Sequence, residues 1–416
     1  MKLAELKKQV LEYQYFEDTD IIDVALASII ATRLKMGDPI WLILIGPSSG
    51  GKSQILRPLA LTDAKFMHRI DDLTENTFLS GTQAKGGGDV SLLNRIGPHG
   101  MVVISDLTII FSKSPEARAS ILSQFRMIYD GEMIKHSGTK DKPIMWKGYL
   151  GILAGSTPSV YRSFEEVADM GERFIYYRMK DYDAEKATRL SMKRSLYGKQ
   201  LDEKLSELYI EYLKEVVLST GTQEVILSEE VQERIIKIAI LAEKIRTTTH
   251  LDWQRVMDRL PVAAMPMRVS LQLMAIAKGL AMLRKHEGKE LSEQDIQILE
   301  WCGYSLANEE KRACLKLLAR MPFEMGVTTS VVADYIGLST EVTKIILQNM
   351  SATGVITRHG SGGGLTWYIT KENDLGIIRR LEKVIENPDL RVRDVSHEEK
   401  DEMKAITDHA FEQFNQ

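Results

Sequence analysis

Gly46-Pro47-Ser48-Ser49-Gly50-Gly51-Lys52-Ser53 has the spacing G-x-x-x-x-G-K-S, and its surroundings decide how this chain folds. Trp41-Leu42-Ile43-Leu44-Ile45, just before it, is an apolar run that reads as a buried strand. Gln54 to Leu61, just after it, reads as the start of a helix. Strand, glycine-rich turn and helix together form a phosphate-cradling loop. Glycines let backbone N–H groups turn inward and approach phosphate oxygens, and the helix start adds partial positive charge and free donors. Lys52 can reach the β- and γ-phosphates, and Ser53 can offer its hydroxyl to Mg²⁺. All eight residues are therefore candidate contacts for ATP. The plain alternative, a Gly/Ser turn that happens to contain Lys-Ser, leaves the flanking strand and helix unexplained.

Working outward, the 416 residues allow two or three domains and a large core. With 44% hydrophobic and 27% charged residues the composition is that of an ordinary soluble globular protein. No apolar run approaches the length of a membrane span, and the charged start Met1-Lys2-Leu3-Ala4-Glu5-Leu6-Lys7-Lys8 lacks a signal-peptide core. Cys302 and Cys314 have no metal-ligand spacing and read as buried thiols in a reducing compartment, which suggests the cytoplasm. The formal net charge of −4 argues against a generally basic nucleic-acid binder, so any grip on phosphates must come from local clusters.

The pattern predicts an α/β fold. Residues 1–40 read as helical, with Asp18 to Leu34 spaced as an amphipathic helix. Strands are expected at 41–45, 66–70, 101–105, 149–154 and 174–179, alternating with helices, which implies a parallel sheet flanked by helices. The expected division is an ATPase core with N-terminal helices over 1–182, a helical lid or linker region over 183–308, a winged helix-turn-helix over 309–371 and a charged helical tail over 372–416. In the third part, helices are expected from Lys311 to Arg320, from Val331 to Gly337 and from Thr340 to Ala352, the last capped by Ser339. Two short strands, 354–358 and 365–369, follow around a glycine-rich turn.

A triphosphate-cleaving site also needs an acidic residue at the end of a neighbouring strand. Met101-Val102-Val103-Ile104-Ser105-Asp106 supplies Asp106, either beside the metal or as the group that activates water; a strand-end aspartate capping the next turn is the plain alternative. Glu75 is a second candidate base. Leu150 to Pro158 is an apolar strand ending in Ser156-Thr157, a position suited to orienting the attacking water. Arg173 opens the fifth strand and can project toward a neighbour's γ-phosphate; Arg178 is the runner-up, and a surface salt bridge is the alternative for both.

In this order the motifs resemble the AAA+ ring ATPases, most closely the minichromosome maintenance (MCM) helicases and the MCM-like replication proteins of phages and mobile elements. Ser105-Asp106 stands where that family has Asp-Glu. Leu122-Ser123-Gln124-Phe125-Arg126 and Glu132-Met133-Ile134-Lys135-His136-Ser137-Gly138 are similar to its helix leading into the pre-sensor-1 hairpin. Ala154-Gly155-Ser156-Thr157-Pro158 matches its sensor 1, placing Thr157 at the Asn position, and Glu172-Arg173-Phe174 matches its arginine finger. Met267-Arg268-Val269-Ser270-Leu271-Gln272-Leu273 resembles sensor 2, which implies Arg268 near the γ-phosphate. The family's N-terminal oligonucleotide-binding domain with its zinc site has no counterpart here.

The resemblance implies a hexameric homo-oligomer, ATP between subunits, single-stranded DNA in a central channel and replication proteins as partners. Lys135, His136, Lys140 and Lys142 are the hairpin cations that suit phosphate contact, with solvated surface charges as the alternative. Trp146 could stack on a base, although an aromatic beside a strand is more often core. On the winged helix Lys344, Gln348, Asn349, Arg358 and His359 could face DNA, while Glu341 at the helix start favours protein docking. The function read from the sequence is an ATP-dependent ring-forming DNA motor, a replicative helicase or translocase. Its rivals are a helicase loader or origin-remodelling switch without processive unwinding, and a transcription regulator.

Overall fold

Five parallel strands carry the architecture. The structure is a computed structural model that describes residues 1–79, 91–136, 143–163, 173–180, 183–195, 198–221, 224–248, 263–321, 326–360, 365–370, 377–378 and 381. Strands β1 (Trp41–Ile45), β2 (Met67–Ile70) and β3 (His99–Ile104) come first. A hairpin, β4 (Glu132–Lys135) and β5 (Ile144–Lys147), follows, and then β6 (Tyr149–Ser156) and β7 (Ile175–Arg178). The sheet order is β2-β3-β6-β1-β7, and every pairing within it is parallel. Helices join the strands, as parallel crossovers require. All five expected sheet strands are present, each within two residues of its expected ends.

β1 is buried along its whole length because both its neighbours are strands and both its faces are covered. At its first residue, Trp41 donates from Nε1 to the Leu150 carbonyl at 2.8 Å. The Trp41 ring packs against Phe125, Tyr129 and Phe174 with centroids 5.0–5.4 Å apart. This aromatic cluster locks the end of the sheet remote from the phosphate loop.

The helix Asp20–Arg33 corrects one expectation. It is not amphipathic: every residue from Ile21 to Thr32 is buried. The apolar spacing was real, but apart from Asp23 the intervening positions are Ala, Ser and Thr, small enough to be covered on the second side. That side is taken by the helix Met267–His286, which crosses so closely that a Cβ on Gly279 would come within 2.2 Å of the Ala27 carbonyl oxygen. Asp23, buried among these helices, is paired with Lys7 and lies 3.6 Å from Arg284, whose guanidinium also holds Asp295 at 2.6 Å.

The expected domain boundary at 182/183 is not where the chain divides. One compact unit is Met1–Ile235 with Met267–Cys302; the other is Ile236–Pro266 with Gly303–Gln416. Helices Gly198–Thr220 and Met267–His286 pack on the helices Lys52–Ala60 and Asp20–Arg33, so they belong with the sheet. The break therefore falls inside the region expected to be one lid over 183–308.

The second unit holds helices Glu309–Arg320, Thr329–Ile336 and Thr340–Ala352, and strands β8 (Val327–Thr328), β9 (Ile356–His359) and β10 (Thr366–Ile369). The strands form an antiparallel sheet in the order β8-β10-β9. Ser339 caps the third helix through the Val342 N–H, as expected, and Asn308 caps the first through that of Lys311. β8 was not foreseen, because two residues carry no periodicity. Trp367 is buried beneath these helices and donates to the Thr329 hydroxyl at 2.9 Å.

Lys311 is 4% exposed and donates to the Ile245 and Thr247 carbonyls at 2.9 and 2.6 Å, capping the end of the helix Glu229–Arg246. Burial pushes its ammonium down to about 7. The unfolded chain therefore holds an extra proton between about pH 7 and 10.5, and stability from this group rises with pH across that window. In thermal melts, the stability of the wild type relative to Lys311→Met should grow from pH 7 to pH 10. A flat difference would remove Lys311 as the titrating group.

Cys302 and Cys314 are buried free thiols. Among the described residues no helix is long and apolar enough to cross a membrane. The tail over 372–416 lies outside the described residues save for Ile377, Ile378 and Leu381.

Candidate functional site

The loop after β1 is built by two backbone turns. Gly50 N–H bonds the Pro47 carbonyl at 3.0 Å, and Gly51 takes φ +88°, a left-handed geometry that glycine adopts without strain. Gly51 also caps the helix Lys52–Ala60, so that helix's N-terminus faces the loop. Pro47, Ser48 and Ser49 are exposed, Gly46 and Gly50 are buried, and Gly51 and Ser53 are half-buried. Lys52 is 8% exposed and donates to the Gly46 and Pro47 carbonyls at 2.8 and 2.6 Å. Burial lowers its ammonium and the nearby Asp106 charge raises it, so the structure brings Lys52 and Asp106 within electrostatic reach.

Pro58 lies inside the loop's helix and has no N–H, which frees the Gln54 carbonyl four residues earlier. Fully buried Gln14 fills that vacancy from its side-chain amide. The N-terminal segment is thereby tied to the phosphate loop's helix. Gln14→Ala should lower unfolding free energy by roughly 1–3 kcal/mol, the cost of orphaning a buried acceptor, as read by chemical denaturation; an unchanged midpoint would make this contact dispensable.

Asp106 follows β3 and is exposed, and its Oδ1 accepts from the Thr108 N–H at 2.9 Å and from the Thr108 hydroxyl. The capping role weighed for it is thus present beside its proximity to Lys52. Ser105 donates to Asp71 at 3.2 Å. Asp71 stands at the end of β2 and was missed in the sequence, since only the strand order shows that β2 neighbours β3. Glu75 is exposed in the loop beyond it. At the end of β6, Thr157 is half-buried with its hydroxyl 2.6 Å from that of Ser159, and Ser156 is fully buried. β6 lies between β3 and β1, so Asp106, Thr157 and the phosphate loop share one edge of the sheet.

A cleft beside Gly50 is lined by Tyr15, Phe16, Asp18, Ile21, Met179 and Lys180. Lys180 pairs with Asp18 at 3.2 Å and lies 5.5 Å from the Trp301 ring centre. Burial and a bond to Glu17 push the Tyr15 hydroxyl up to about 12. The Tyr15-Phe16 pair at the break before a helix was the one available sequence signal for this cleft.

Arg173 and Arg268 occupy the other end of the sheet. Arg173 is 5% exposed and precedes β7; its Nη2 reaches both Asp130 oxygens at 3.0 and 3.2 Å. Its carbonyl accepts from Gln272 at 3.0 Å, and Gln272 in turn accepts the Trp41 N–H at 3.1 Å. Burial lowers the Arg173 guanidinium, Asp130 raises it, and Arg268 and Arg126 lower it further. Arg268 is therefore brought beside Arg173 and not beside the phosphate loop of its own chain, one turn before Gln272 on the same helix. Its motif puts Arg268 near a γ-phosphate; here it stands at the Trp41 end of β1, remote from this chain's own loop. Arg178 ends β7, opposite Ile45 and next to the loop.

The hairpin β4–β5 forms with Ile134 opposite Met145. Lys135 does not point freely outward: its ammonium donates to Asn76 and to the Leu79 carbonyl at 2.8 and 2.9 Å. His136 is exposed, and Lys140 and Lys142 lie outside the described residues. Trp146 is buried at 4% exposure and donates to the Gly97 carbonyl, so it is a core residue. In the second unit Lys344, Arg358 and His359 are exposed and Gln348 is half-buried, but Asn349 is buried and unavailable to a partner.

Among the described residues no group of three or more His, Cys, Asp or Glu side chains could hold a metal. Ser53 and Asp106 are the residues that would hold Mg²⁺ beside a nucleotide, where the ion takes most of its ligands from phosphates and water. No protein-family model matches the chain, and no curated protein matches it.

Proposed function

We propose that this chain is an ATP-driven, ring-forming DNA motor of the AAA+ kind, a replicative helicase or translocase of MCM-like type from a phage or mobile element. The observation that carries the proposal is a division of labour within one chain. Lys52, Ser53 and Asp106 share one edge of the parallel sheet, and Arg173 and Arg268 share the other. A site of this composition is completed by a second copy that contributes its arginines. The strand order β2-β3-β6-β1-β7 and the hairpin before β6 support the AAA+ reading. The helix–strand–helix–helix–strand–strand order of the second unit supports a winged helix there.

On this reading the triphosphate lies along the loop N–H groups and Lys52, and its base enters the cleft of Tyr15, Phe16 and Met179. Bound Mg²⁺ would neutralise phosphate charge from Ser53 and the Asp106 side. Asp106 and Thr157 hold the attacking water, and Arg173 of the next copy stabilises the charge that builds on the γ-phosphate. Among the described hairpin residues, channel contacts to DNA rest on His136, since Lys135 is already engaged.

The test is ATP-dependent strand displacement from a forked duplex, together with imaging of rings. Displacement by the wild type and none by Lys52→Ala supports the motor. The second reading, a loader or remodelling switch, is favoured by Ser105-Asp106 and by the tethered Lys135. ATP-dependent assembly on DNA without displacement would select it.

A further inference from the structure

Asp130 follows directly on the helix Pro115–Tyr129 and is its C-terminal cap. A carboxylate is electrostatically unsuited to that end, where the helix dipole is negative. A local rule broken in this way needs a compensating partner, and Arg173 is that partner. Arg173 is nearly buried, with its guanidinium 5.6 Å from the Tyr129 ring centre, while the Asp130 side chain is 55% exposed. The backbone at Arg173 is fixed through Gln272 to Trp41, so only its side chain can change partner. Arg126 and Arg268 add like charge around it. One exposed carboxylate thus holds the most buried of three neighbouring guanidinium groups.

We propose that Asp130 is a positioning residue: an internal counter-anion that keeps Arg173 retracted until phosphate oxygens of an adjacent copy's nucleotide displace it. This rests on the reading of Arg173 as the residue that serves a neighbour's ATP. The exchange is electrostatic and breaks no covalent bond. A triphosphate carries more negative charge than one carboxylate, and Asp130 can turn toward solvent when released. Asp130 therefore sets how much of the assembled protein has Arg173 committed to hydrolysis.

The test uses the full chain and Asp130→Asn, which keeps the shape and removes the charge. ATP hydrolysis per subunit should rise about fivefold, equivalent to about 1 kcal/mol and the upper range for a partly exposed pair. In the Arg173→Ala background the same change should produce no rise. A rate that stays level or falls, at a wild-type melting temperature, overturns the proposal. A fall in both rate and melting temperature makes Asp130 a structural brace and overturns it too. If Asp130→Asn does not fold, Asp130→Ser is expected to show the same rise and is judged by the same outcomes. Arg173→Ala that hydrolyses at the wild-type rate would remove the underlying assignment of Arg173 instead, a result distinct from an inert Asp130→Asn beside an inactive Arg173→Ala.

Discussion

Lys52→Ala should abolish ATP hydrolysis, with a loss on the order of a hundredfold or more, the scale for removing a preorganised group that stabilises transition-state charge. The expectation comes from geometry. The Lys52 ammonium is the buried cation at the start of the loop helix, held by the Gly46 and Pro47 carbonyls and near enough to Asp106 to feel its charge. Phosphate oxygens can take over those hydrogen bonds without moving the helix. Alanine removes the charge and leaves the two carbonyls without their donor. Losing a cation that burial disfavours offsets the freed carbonyls, so the variant should stay folded. Phosphate release measured beside a thermal melt separates lost chemistry from lost folding. A folded variant that still hydrolyses ATP would show that catalysis takes place elsewhere.

Arg173→Ala should lose hydrolysis by about a thousandfold or more, as expected for an arginine finger, while retaining nucleotide binding. Its distance from its own phosphate loop is the reason: the side chain lies at the opposite edge of the sheet and cannot touch the nucleotide held by the same chain. Mixing provides the decisive measurement. Lys52→Ala subunits carry an intact Arg173, and Arg173→Ala subunits carry an intact loop. Mixed assemblies therefore contain some complete interfaces, and part of the activity should return. Because Asp130 is 55% exposed and is solvated when released, loss of the pair costs the alanine variant about 1 kcal/mol or less. Arg173→Lys, which keeps the charge but not the bidentate fork, should fold better and remain slow. Absence of rescue in mixtures of folded variants would exclude a shared site.

Four of the five sheet strands were legible as short apolar runs that are almost wholly buried; β2 carries His68 and Arg69 and is buried only at its two ends. The loop after β1 was legible as a turn because its glycines and serines separate an apolar strand from a helix. What the sequence concealed was adjacency. Asp71 and Ser105 lie 34 positions apart and meet only because β2 pairs with β3. Lys135 read as a free cation, and its bonds to Asn76 and Leu79 come from a loop more than fifty residues earlier. The helix Asp20–Arg33 was placed correctly but its second buried face was not, because small residues such as Ala27 and Ser28 carry no strong hydropathy signal. Arg268 was grouped with a γ-phosphate by its motif alone, and the end of the sheet it occupies is visible only through Gln272, on the same helix, reaching Trp41 and Arg173.

Gly279 has a mechanical consequence. With the Ala27 carbonyl filling the space a methyl group would need, the helix Met267–His286 meets the helix Asp20–Arg33 backbone to backbone. Such a junction cannot slide by a residue without driving side chains into that gap. Sliding of one helix along the other is therefore opposed at residue 279, which makes that point a lock on their register.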